Sequence, residues 1–162
     1  MARSFEEDAD TSVVILAGNA KAFSAGFDLK DPEGRSRQTM DIGSLRRHLK
    51  LGPRMSRAWQ DMEQLTIAAI EGFCIGDGVA LAVALDFRIM ASNAHIRVPE
   101  IGLGMNMSWQ SVPRLLHLMG PARTKQAVIM PIIGFPRRRL MTEVLLRNSR
   151  ARESFRRGSG EG

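Results

Sequence analysis

Glu100 is the first residue of this chain that invites a chemical reading. It stands in HIRVPEIGLG, residues 95–104, flanked by Val98, Pro99 and Ile101. A carboxyl among apolar neighbours keeps its proton to higher pH, because burial disfavours the charged form. Such a group suits proton transfer near neutrality. Taken alone, the same glutamate reads as a surface residue after a strand. A second feature is the run IGDGVALAVALD, residues 75–86. Gly76 and Gly78 open it, and Ala, Val and Leu fill it, which predicts a buried helix from about Gly78 to Leu85. The start of a helix favours negative charge. Asp77 stands at that start, where its carboxylate can accept from N–H groups two or three residues on. Alone, GDG and the earlier SAGFD are ordinary turns.

Other chemistry is sparse. The one cysteine, Cys74, excludes an internal disulfide and a cysteine-based metal cluster. Within IAAIEGFCIG it reads as a small buried hydrophobe. His48, His95 and His117 read as helix-surface or strand residues. No metal-ligand spacing, P-loop or dinucleotide fingerprint is present.

The elements that must position these residues follow from periodicity. Residues 2–10 read as the frayed end of a helix. Residues 12–16 (SVVIL) and 66–70 (TIAAI) are short apolar runs that predict buried strands. Residues 19–30 read as a loop and 31–44 as a mobile connection rich in Gly, Pro and charge. Apolar residues at Leu45, Leu49, Met55, Trp59, Met62 and Leu65 predict helical segments broken at Gly52-Pro53. Residues 87–91 and 94–98 predict further strands. Gly102, Gly104 and Asn106 mark a loop. Two short helices follow, one from Ser111 to Gly120 and one from Pro121 to about Met130. Strands alternating with helices point to an α/β fold.

With 162 residues and 44% hydrophobic content, the chain can build one domain with a core. Its net charge of +6 is uneven: residues 131–162 hold 8 arginines against 3 acidic residues. The first 130 residues are close to neutral, so no basic face for nucleic acid is expected. Residues 131–162 have little apolar period and read as an Arg-rich tail without a packed structure, or as translation in a shifted frame. The start, MARSFEEDAD, lacks an apolar signal core, and no stretch approaches membrane-spanning length. Together with the single cysteine, this makes a cytoplasmic protein the expectation.

Two segments in order carry a family resemblance. VVILAGNAKAFSAGFDLKD, residues 13–31, and IAAIEGFCIGDGVALAVALDFRIMASNAHIRVPEIGLGMNMSWQSVPRLLHLMGPARTKQAVIM, residues 67–130, resemble the enoyl-CoA hydratase/isomerase (crotonase) superfamily. The resemblance covers roughly residues 5–130 and implies a partial β/α spiral core. It implies an acyl-CoA or enoyl-CoA thioester as ligand, with CoA part of the substrate and no separate cofactor or metal. It also implies enolate chemistry. Two backbone N–H groups, at Phe27 and Asp77, would face the thioester oxygen as charge builds there. Glu100 would be the acid/base. A family glutamate is replaced by Ala80, and the family's usual glycine by Asp77. A single carboxylate can still shuttle a proton between C2 and C4. Lys21, with Lys30 a weaker candidate, matches where the family meets CoA phosphates, and Ala25 and Asp28 match the wall near the adenine. Met105, Met107 and Trp109 line the acyl pocket or belong to the core.

Family members are longer at both ends and assemble as trimers or hexamers through C-terminal helices. The chain is accordingly expected to be short at both ends. Two readings remain open: a hydratase or isomerase with one acid/base glutamate, and a catalytically impaired acyl-CoA binder.

Overall fold

The computed structural model describes residues 1–28, 30–32, 36–37 and 39–130. The tail expectation for residues 131–162 therefore lies outside the described residues. The chain opens with a 3-10 turn, Ala2–Phe5, followed by β1 (Val13–Ala17) and β2 (Ala22–Ser24). Helices α1 (Ile42–Leu49) and α2 (Leu51–Gln60) lead to β3 (Leu65–Ile70) and β4 (Phe73–Ile75). A six-residue helix, α3 (Asp77–Ala82), precedes β5 (Phe87–Met90) and β6 (His95–Arg97). A second 3-10 turn, Glu100–Leu103, leads to α4 (Ser111–Ile129).

Successive strands alternate between two parallel three-stranded sheets, ordered β1-β3-β5 and β2-β4-β6. Each turn of the chain lays one strand in each sheet, which is the expected α/β spiral. In the first sheet Val13 pairs with Leu65 and Ala17 with Ala69, while Ile67 pairs with Phe87. The second sheet pairs Ala22 with Phe73 and Ile75 with Arg97. Sequence reading missed β2 and β4, folding them into a loop and a helix approach. Strands of three residues are too short to show a period.

The core lies on one face of the first sheet. Val14, Thr66, Ala68, Ile70, Arg88 and Met90 are buried there, with Val79, Trp59, Cys74 and Leu115. Side chains alternate across a strand, so the other face carries Val13, Ile15, Leu65, Phe87 and Ile89, all exposed. The expected buried strands are therefore buried on one side only. Apolar residues on both faces suit a sheet covered twice, and the described residues cover one face.

Local signals explain several boundaries. The break between α1 and α2 falls at Lys50, not at Gly52-Pro53. Pro53 occupies the first turn of α2, where a missing N–H costs little. Gly52 instead admits Trp109: a Cβ on it would lie 1.9 Å from the indole Nε1. The connection is shorter than read, because α1 starts at Ile42 with Asp41 as cap, accepting from Ser44 N at 3.0 Å. The start is a single 3-10 turn rather than a longer helix end. Helix α3 ends at Ala82, short of the expected Leu85. Arg88 Nη1 donates to Ala82 O at the end of the helix at 3.5 Å and to Leu85 O beyond it at 2.7 Å. The two helices expected about Gly120 are present within α4, parted there by non-helical backbone with Gly120 at φ 77° and ψ 167°. Among the described residues no helix is long and apolar enough to cross a membrane.

Candidate active site

Three parallel neighbours, β2, β4 and β6, end at the same edge of the second sheet. The loops leaving them carry Phe27, Asp77 and Glu100, two or three residues past the strand ends. Ligands of parallel sheets settle at this carboxyl edge, where neighbouring loops converge. A Cβ on Gly26 would stand 3.5 Å from Asp77 N and 2.6 Å from Ile75 O, so the first loop lies directly against the second. Gly76 carries the chain from β4 into α3 at φ 56° and ψ −117°, a conformation open to glycine. A Cβ there would meet Glu100 Oε1 at 2.9 Å. Gly76 O accepts from Val79 N at 2.8 Å and Ala80 N at 3.2 Å, so the N–H of Asp77 precedes the first intrahelical bonds.

Glu100 is 8% exposed, and its Oε2 has no hydrogen-bond partner in the structure. Burial first, and then the charge of Asp77, push its carboxyl above the usual glutamate range. Asp77 is half-buried. Burial raises its carboxyl too, and Arg37 acts against that rise. Its carboxylate therefore interacts with both Glu100 and Arg37, which places its charge within the field of the converging loops. It makes no side-chain cap for α3, unlike the capping role its position suggested.

Arg37 and His48 were missed in the sequence. The Arg37 guanidinium lies 4.3 Å from the centre of the Phe27 ring, and its Nε donates to His48 Nε2 at 2.8 Å. No spacing joins residues 37 and 48 to residue 27, so only the folded loops reveal the group. His48 is thus half-buried and partnered rather than a simple helix-surface residue.

The other candidates separate. Ala25 and Asp28 are exposed beside Phe27, and Asp28 Oδ1 accepts from Lys30 N at 2.8 Å. Lys21 is exposed at the opposite end of β2, so it can meet only a remote part of an extended ligand. Ala80 is 1% exposed inside α3. Met107 belongs to the core and Trp109 packs against it, while Met105 is exposed. Burial pushes the Cys74 thiol up to about 12, which fits an inert core residue. Among the described residues no cluster of His, Cys, Asp or Glu is placed to hold a metal. A cleft of about 570 Å³ lies elsewhere, between the first turn and α2, lined by Phe5, Arg54, Arg57 and Met62. It contains none of Phe27, Asp77 or Glu100.

Comparison with known proteins places this geometry in context. Residues 2–131 match a family model described as enoyl-CoA hydratase/isomerase. A crotonyl-CoA hydratase of Syntrophomonas wolfei is 36% identical over 121 residues, covering 74% of this chain and 45% of that protein. A short-chain-enoyl-CoA hydratase of Clostridium acetobutylicum is 34% identical over 124 residues, covering 76% and 46%. The crystal structure of an enoyl-CoA hydratase from Bacillus anthracis superposes with a TM-score of 0.68 at 32% identity, covering 78% of this chain and 48% of that one. The chain spans about half the length of the curated relatives it matches.

Proposed function

The chain belongs to the enoyl-CoA hydratase/isomerase family, and we propose that it acts on an acyl-CoA or enoyl-CoA thioester through an enolate. The observation that carries this is the convergence of the Phe27 and Asp77 loops beside a buried Glu100 carboxyl whose Oε2 has no hydrogen-bond partner. In an isomerisation, the Glu100 carboxylate takes a proton from C2 of a 3-enoyl thioester. The electron pair moves onto the carbonyl oxygen, giving a dienolate. The N–H groups of Phe27 and Asp77 donate to that oxygen. The protonated Glu100 then returns the proton to C4, and the double bond ends between C2 and C3. One carboxyl serves both transfers, so the step balances without a second acid.

A raised pKa makes Glu100 a stronger base once ionised. Preorganised donors at a forming oxyanion are worth about 3–4 kcal/mol each. Hydration needs a second group to position water, and Ala80 supplies none. A general acid or base contributes about 10²–10⁴-fold, so hydration is expected to be the slower reaction. CoA is part of the substrate, and this chemistry calls for no separate cofactor. A second reading has its own observation. The Asp77 carboxylate lies in the field of the site, where it opposes an oxyanion. On that reading the protein binds acyl-CoA without turnover.

The test is a panel of 2-enoyl- and 3-enoyl-CoA thioesters assayed with the unchanged chain and Glu100→Gln, alongside butyryl-CoA titration. Turnover of the 3-enoyl substrates that disappears in Glu100→Gln supports the enzyme. Binding without turnover supports the second reading. Turnover untouched by Glu100→Gln would show that the chemistry sits on another residue.

A further inference from the structure

Arg37 is a charged group that the proposed reaction does not use, and it rests on Phe27. It comes from the connection before α1, yet two distant elements hold it. The Phe27 ring offers its face to the guanidinium at 4.3 Å, within the range of cation–π attraction. His48, on α1, accepts from Arg37 Nε at 2.8 Å. A guanidinium fixed by a ring and by a hydrogen bond is a localised charge rather than a solvated one.

Its position relative to Asp77 matters. Phe27 follows Gly26, and a Cβ on Gly26 would lie 3.5 Å from Asp77 N. The cation therefore rests on the residue that follows the glycine adjoining the second candidate donor. The Arg37 charge acts against the burial-driven rise of the Asp77 carboxyl, and the Asp77 charge in turn pushes the Glu100 carboxyl up. Arg37 and Asp77 form no contact ion pair among the described residues, so their charges act through space.

A carboxylate beside a forming oxyanion raises the energy of that oxyanion, and a nearby cation lowers it. We propose that Arg37 is the counter-charge of this site. It offsets the carboxylate that Asp77 brings to the mouth of α3, so that negative charge can still collect on a thioester oxygen between Phe27 and Asp77. Arg37 thus acts as a positioning residue, through the field at Asp77, and this role rests on the enolate reading above. Asp77 and Arg37 form a linked pair: the first is tolerated where the second is held.

A double-mutant cycle on the full chain tests the pairing. The forms are the unchanged protein, Arg37→Gln, Asp77→Gly and the double variant. Each is assayed with 3-butenoyl-CoA for turnover and with butyryl-CoA for affinity. Arg37→Gln should lower kcat about tenfold in the unchanged background, the factor that ~1.4 kcal/mol produces. In the Asp77→Gly background it should change kcat less than about twofold. Butyryl-CoA affinity should hold in both backgrounds, and Arg37→Lys should restore most of the rate by keeping the charge. Equal losses in both backgrounds would overturn the proposal. So would a loss of affinity without loss of kcat, which would make Arg37 a ligand contact.

A second readout needs no turnover. The Asp77 carboxyl, followed by carbon NMR, should titrate at higher pH in Arg37→Gln than in the unchanged chain. An unmoved titration would overturn the counter-charge. If no form turns over substrate, the enolate reading fails on its own, and the NMR result still decides the pairing.

Discussion

Replacing Gly76 with alanine should damage the site and the fold together, by amounts the geometry sets separately. The residue sits at φ 56° and ψ −117°, outside the regions that L-residues favour. Holding a side chain there costs about 1–3 kcal/mol. The added Cβ would also stand 2.9 Å from Glu100 Oε1, 3.7 Å from Glu100 Cδ and 3.9 Å from Pro99 Cδ. The first of these contacts is too close, and the carboxylate end is the part that can move. Glu100 should therefore shift by several tenths of an ångström while the backbone strain remains. Urea unfolding should show a loss of about 1–3 kcal/mol. Turnover of a 3-enoyl-CoA, if present in the unchanged chain, should fall by about 10²-fold, the scale that a misplaced reacting group produces. Gly102→Ala is the control. A Cβ there meets nothing within 4 Å, so its stability should stay within about 0.5 kcal/mol of the original. Equal stability of the two variants would refute the backbone geometry at Gly76. A destabilised Gly76→Ala with full turnover would refute the placement of Glu100 against it.

Glu100→Gln should change the pH dependence of stability. Burial holds the Glu100 carboxyl above the usual glutamate range, so the folded chain binds that proton more tightly than the unfolded chain. The stability it contributes is complete below the ordinary glutamate value and is lost as pH rises through the folded value. Glutamine has no such loss, so urea midpoints should increasingly favour Glu100→Gln as pH rises from about 4 toward neutrality; a pH-independent difference would contradict the burial. Arg88→Leu should cost about 2–3 kcal/mol, because it strands the buried carbonyls of Leu85 and Ala82 at the end of α3. Urea unfolding measures this, and a change under 0.5 kcal/mol on the scale of ordinary surface substitutions would show that water replaces the guanidinium.

The residues show why some features were legible in the sequence and others were not. Residues 12–16, 66–70 and 87–91 are apolar runs long enough to declare strands, and all three pair in the first sheet. Gly120 followed by Pro121 marked the kink in α4 because both act locally on the backbone. Of the second sheet only β6 was legible, within the run 94–98, since β2 and β4 span three residues each and derive their identity from pairing. The apolar outer face of the first sheet was read as buried. Composition reports that a residue could be covered, and only the fold reports whether it is.

The candidate site divides in the same way. Phe27, Asp77 and Glu100 were found through two glycine-bearing segments, and their loops leave adjacent strands of one sheet. Arg37 lies in a connection without periodicity and His48 on α1, and the contacts that join Arg37 to Phe27 and to His48 exist only after folding. Lys21 shares a segment with Phe27 but stands at the other end of β2, because a strand separates what sequence proximity joins.

Deuterium uptake at C2 of a 3-enoyl-CoA thioester is the most direct measurement of the central claim. Proton removal beside the thioester gives a dienolate that labels C2 when it reverts to the 3-enoyl thioester and C4 when it goes on to isomerise. The chain in D₂O should catalyse uptake at C2, and Glu100→Gln should lose it by at least about 10²-fold while still binding butyryl-CoA. Uptake that persists at full rate in Glu100→Gln, or that never appears in an unchanged chain saturated with thioester, would contradict enolate chemistry at this site.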